Sequence, residues 1–67
     1  MDGVKNIGKN IYFYTDISDE STLELISIME DLKDKETELF LHINSGGGLA
    51  QDGFHLYNYI KNYPLPV

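Results

Sequence analysis

Apolar positions along this chain fall into four successive patterns, and each predicts an element. Ile11 to Thr15, IYFYT, is aromatic and β-rich with few polar interruptions, the pattern of a strand covered on both faces. Leu25, Ile28, Met29 and Leu32 then recur at i, i+3, i+4 and i+7, one face of an α-helix, with Leu23 and Ile26 broadening the stripe. Glu24, Ser27, Glu30, Asp31 and Asp34 take the opposite face. The preceding DISDEST supplies start signals: Ser18 and Asp19 are candidate caps, and Ser21 with Glu24 has capping-box spacing. After the charged KDKETE, Leu39 to Ile43 reads as a second strand. Ala50 to Asn62 reads as a second helix with Phe54, Tyr57 and Ile60 inward, Leu56 beside them, and Pro64 and Pro66 stopping it.

Residues 1–10 are polar and hold two glycines and two asparagines, so they read as a loose N-terminal segment before a unit spanning 11–67. The order strand, helix, strand, helix predicts an α/β chain, a parallel βαβα unit with a right-handed crossover. Leu65 to Val67 reads as the approach to a third strand. Two parallel strands with two helices leave a sheet edge open and the helices partly uncovered, so this unit is expected to be incomplete as a stand-alone domain.

Charge narrows the function classes. Five lysines, no arginine and eleven carboxylates give a net charge of −6, which repels phosphate backbones and anionic membranes, so neither nucleic acid nor membrane is an expected partner. No apolar run approaches a bilayer span, the N-terminus lacks the pattern of a signal peptide, and a cytoplasmic location is expected. The absence of cysteine excludes disulfides and thiolate metal sites, two isolated histidines make a poor metal set, and no cofactor is called for.

Candidate chemistry lies where HINSGGGLAQDG joins the second strand to the second helix. Three consecutive glycines in a strand-to-helix turn suit phosphate binding, an oxyanion hole of backbone N–H groups, or a tight turn with no ligand. Phosphate binding fits poorly: in G-x-G-x-x-G the third glycine falls on Gln51, and no P-loop lysine follows. Spacing does not choose between the other two. Ser45 suits a hydroxyl that closes the turn on nearby backbone. Asp52 suits the helix dipole, His42 a surface or interface strand position, and His55 an exposed helical one.

LFLHINSGGGLAQDGFHLYNYIKN resembles the strand, loop and helix of the ClpP-type serine peptidases, with Ile43, Asn44, Ser45, Gly47, Gly48, Gly53, Leu56, Tyr57 and Asn58 in matching places. NIYFYTDISDESTLELISIMEDL is similar to that family's first strand and long helix, so the resemblance runs from Asn10 to Val67. Gly46 stands where the family commonly has proline. The resemblance implies the first part of a ClpP/crotonase-like spiral fold, and serine peptide hydrolysis in a homo-oligomeric ring fed by an AAA+ unfoldase. It implies that Gly48, with Gly47, donates backbone N–H groups to an oxyanion, and that Leu49 and Ala50 line the groove for a peptide or unfolded-protein substrate. The family's nucleophilic serine falls past the point corresponding to Val67, with its histidine and aspartate later still, so the expected share of this chain is the oxyanion half of the site. Two alternatives stand beside this: a catalytically inactive ClpP-like module acting through oligomer or partner packing, and crotonase-type acyl-CoA chemistry, whose acyl-CoA loop INSGGG does not resemble.

Overall fold

Val4, Ile11 and Phe13 project from one face of a sheet and meet Leu25, Met29, Leu32, Leu39 and Leu56, which together form the buried core. The computed structural model describes residues 3–48 and 50–67. Its elements are β1 (Gly3–Ile7), β2 (Asn10–Tyr14), α1 (Asp19–Leu32), β3 (Phe40–Ile43) and α2 (Ala50–Lys61). The sheet has the order β1-β2-β3.

β1 lies in the segment expected to be loose. It pairs antiparallel with β2, from Gly3 opposite Tyr14 to Ile7 opposite Asn10, across the two-residue connection Gly8-Lys9. Gly8 adopts φ +57°, as the first central residue of a II′-type hairpin turn must. The sheet is therefore mixed and three-stranded, where the sequence suggested two parallel strands. β2 and β3 do run parallel, Ile11 beside Leu41 and Phe13 beside Ile43, with α1 between them in the chain.

Burial in the strands departs from the sequence expectation. β2 alternates: Ile11 and Phe13 are buried, whereas Tyr12 and Tyr14 on the other face are half-buried. In β3, at the edge of the sheet, Phe40 and Ile43 stay exposed. Leu39 N–H donates to the carbonyl of Pro66 at 2.9 Å, so the chain after α2 returns beside the start of this edge strand.

α1 is capped one position before its first residue. Ser18 Oγ accepts the Ser21 N–H at 3.2 Å, and Ser18 N–H donates to Ser21 Oγ at 2.9 Å. Ser18 and Ser21 thus make the capping box, in place of the anticipated Ser21 and Glu24. Ser21 Oγ–H also donates to the Asp16 carbonyl at 2.8 Å, which ties the cap to the loop leaving β2.

α2 is rolled relative to expectation: Leu56 and Ile60 pack inward as expected, but Phe54 and Tyr57 are 69% and 62% exposed. The stripe that packs is Leu56, Tyr59, Ile60 and Tyr63, which is also helically spaced. Two phenols select it, because Tyr59 donates to the Glu30 carboxylate and Tyr63 donates to the Met29 carbonyl, both on α1. Burial pushes both phenols above the ordinary tyrosine value of 10.0, and the Glu30 carboxylate pushes them the same way. The Tyr59 bond in turn holds Glu30 below its ordinary value, with Lys33 assisting.

Two outcomes follow for stability. Ser18→Ala removes an N-cap acceptor and is expected to lower unfolding free energy by about 1 kcal/mol in urea titrations followed by circular dichroism. The raised Tyr59 and Tyr63 values favour the protonated phenols in the folded chain. Their stabilisation is therefore complete below pH about 10 and is lost as pH rises from there toward the folded-state values. The thermal midpoint of the wild type is expected to fall above that pH, and the double variant Y59F/Y63F to show a shallower alkaline decline.

Candidate functional site

Beyond β3 the ladder continues for one bond, Asn44 N–H to the Phe13 carbonyl at 2.9 Å, and then the backbone swings toward the loop between β2 and α1. Ile17 N–H donates to the Gly47 carbonyl at 2.8 Å, and Ile17 and Gly48 form an isolated parallel bridge. The turns that follow the two parallel strands are thereby fastened to one another at the strands' carboxyl ends.

The three glycines meet different demands. A Cβ on Gly48 would lie 2.0 Å from the Ile17 carbonyl oxygen and 2.7 Å from its carbon, and the residue also has φ +157°. Only glycine allows that approach. Gly47 has φ +109° but open space around a notional Cβ. Gly46 needs neither concession, and its notional Cβ would sit 3.3 Å from Asp16 Oδ1.

Ser45 spans the turn. Its Oγ accepts the Gly47 N–H at 3.2 Å and donates to the Gly47 carbonyl at 3.3 Å. The Gly47 amide is thus committed, whereas that of exposed Gly48 has no hydrogen-bond partner among the described residues. The turn leads into the N-terminus of α2, a twelve-residue helix whose first-turn dipole favours negative charge. Ala50 opens that helix and is exposed, in a shallow hollow with Gly53, Phe54 and Tyr57. Leu49 lies outside the described residues. A second, more enclosed apolar cleft of about 190 Å³ lies between sheet and α2, lined by Phe13, Ile17, Leu41, Ile43, Leu56 and Tyr57 among others.

The histidines take no part in the turn. His42 stacks on Tyr12, ring centroids 4.7 Å apart and planes 11° from parallel, and its Nε2 lies 3.1 Å from Asn10 Oδ1. His55 is exposed on α2. Among the described residues no serine, histidine and carboxylate are hydrogen-bonded in series, and no group of three or more metal-ligating side chains forms.

Sequence reasoning missed one pairing near the turn. Asp52, in the first turn of α2, faces Asp19, the first residue of α1, and one Asp52 oxygen is buried without a partner. Two ionised carboxylates cannot donate to each other. Burial first, then Asp19, push Asp52 above its ordinary value, while His55 opposes the shift. The pairing joins two helix starts remote in sequence, so no local pattern announces it.

A family model described as Clp protease matches residues 5–67 of the chain. No curated protein and no solved structure matches it significantly.

Alanine substitutions in the turn are expected to grade by what each Cβ meets. Gly48→Ala should cost roughly 3 kcal/mol, since backbone must move. Gly47→Ala should cost roughly 1–2 kcal/mol through its positive φ alone. Gly46→Ala should cost less than about 1 kcal/mol. Urea unfolding of the three variants checks the order, and an equal response would contradict it.

Proposed function

Because the chain belongs to the Clp protease family, we propose that it carries the oxyanion-stabilising turn and part of the substrate groove of a ClpP-like serine endopeptidase. Gly48 carries this reading: it is exposed and its amide has no partner among the described residues, in a turn held by Ile17 at the start of α2. In peptide hydrolysis the scissile carbonyl oxygen becomes negative in the tetrahedral intermediate. A preorganised N–H aimed at that oxygen lowers the barrier without reorganising at the moment of reaction.

Gly48 is accordingly the donor. Gly47, its own amide given to Ser45, serves chiefly through the conformation that its φ permits. Leu49 and Ala50 flank the groove in which an extended peptide or unfolded-protein segment adds as a strand. Hydrolysis also requires a nucleophile and base that the described residues do not bring together, so the share of this segment is the anion site. The mixed α/β unit forms the beginning of a ClpP/crotonase-like spiral. The assembly is a homo-oligomeric ring supplied by an AAA+ unfoldase in the cytoplasm. Exposed Ile43, Phe54 and Tyr57 support assembly, since large apolar groups in water favour a subunit contact.

The same exposed residues favour a second reading, a catalytically inactive ClpP-like module that acts by packing. Light scattering of the native protein, combined with a fluorogenic peptide and a serine-directed fluorophosphonate, separates the two. The peptidase reading expects an oligomer that cleaves the peptide and takes the label, with turnover reduced roughly 100-fold in folded Gly48→Ala. An oligomer that neither cleaves nor labels supports the packing module.

A further inference from the structure

We infer that Ser45 is the positioning residue of the anion site: by holding both ends of Gly47 it aims the Gly48 amide. The assignment rests on the oxyanion reading above and adds to it the device that orients the donor. A peptide unit is planar, and a trans unit points its C=O and N–H in opposite directions. The Gly47 carbonyl and the Gly48 N–H belong to one such unit. That carbonyl accepts from Ile17 N–H at 2.8 Å and from Ser45 Oγ at 3.3 Å. Fixing it toward Ile17 and Ser45 directs the Gly48 N–H to the other side of the plane, away from Ile17.

One bond would leave the plane free to swivel about it, and the second restricts that rotation. Restriction matters here because Gly47 and Gly48 are flanked by Gly46, and glycine admits more backbone conformations than any other residue. Among the described residues, Ser45 is the only side chain that bonds Gly46, Gly47 or Gly48. Its hydroxyl also accepts the Gly47 N–H at 3.2 Å, which withdraws that amide from competition for an incoming oxygen. Of the Gly47 and Gly48 amides, the one left to be aimed is thus that of Gly48.

The test uses the ¹⁵N-labelled full chain and its Ser45→Ala and Ser45→Thr variants. Amide exchange and chemical shifts at Gly47 and Gly48 are followed with and without an N-acetylated, C-amidated eight-residue peptide of apolar side chains. The expected result is that peptide shifts the Gly48 amide in the wild type. S45A should exchange its Gly47 amide about fivefold faster and bind the peptide about fivefold more weakly, with a displaced Gly48 resonance. S45T, which retains the hydroxyl, should restore all three. A loss of packing alone would lower the thermal midpoint without this pattern of loss and rescue at two amides.

If the wild type responds at Gly48 and S45A matches it in exchange and affinity, the Ser45 assignment is overturned while the oxyanion reading stands. If peptide leaves the wild-type Gly48 amide unmoved, the oxyanion reading fails and Ser45 has no site to position. Should S45A not fold, S45T decides alone: wild-type exchange and affinity support the assignment, and loss of either overturns it.

Discussion

The approach of Ile17 to Gly48 is the constraint on which the turns at the carboxyl ends of the parallel strands depend. β2 and β3 are parallel, so their carboxyl ends lie at the same side of the sheet, where ligands of open α/β sheets characteristically bind. Ile17 follows β2 and Gly48 follows β3, and their contact is closer than any side chain on Gly48 would permit. Ser18, which starts α1, is the next residue after Ile17. The position of the glycine turn and the start of the long helix are consequently set by a single junction.

Electrostatics at this junction are divided. The N-terminus of α2 favours an anion, but Asp52 stands in its first turn and Asp19 faces it from α1. Burial first, and then the Asp19 carboxylate, push Asp52 above its ordinary value. The chain therefore sets two acids, one from the start of each helix, near the glycine turn.

Local spacing carried the core face of α1, the existence of α2, the two parallel strands and the glycine turn, because each is written in consecutive residues. β1 escaped notice because only Val4 of its five residues is buried, and the hairpin is set by Gly8 rather than by hydropathy. The face of α2 was ambiguous for another reason. Phe54 with Tyr57 and Ile60, and Leu56 with Tyr59, Ile60 and Tyr63, are both valid helical stripes that share Ile60, and bonds to Glu30 and Met29 on a distant helix favour the second. At the site, the resemblance pointed to Gly48. The reason for glycine there is the Ile17 carbonyl oxygen, which no reading of the motif in isolation could supply.

The wide sequence separation of the residues that fasten the turn also has a kinetic meaning. The β1–β2 hairpin closes a two-residue loop and α1 needs only its own residues, so both can form while the rest of the chain is open. The Ile17–Gly48 bridge must close a loop containing all of α1 and β3, whose entropy is overcome only once those elements have docked. In the folding sequence the glycine turn is thus a late acquisition, assembled on elements that already stand.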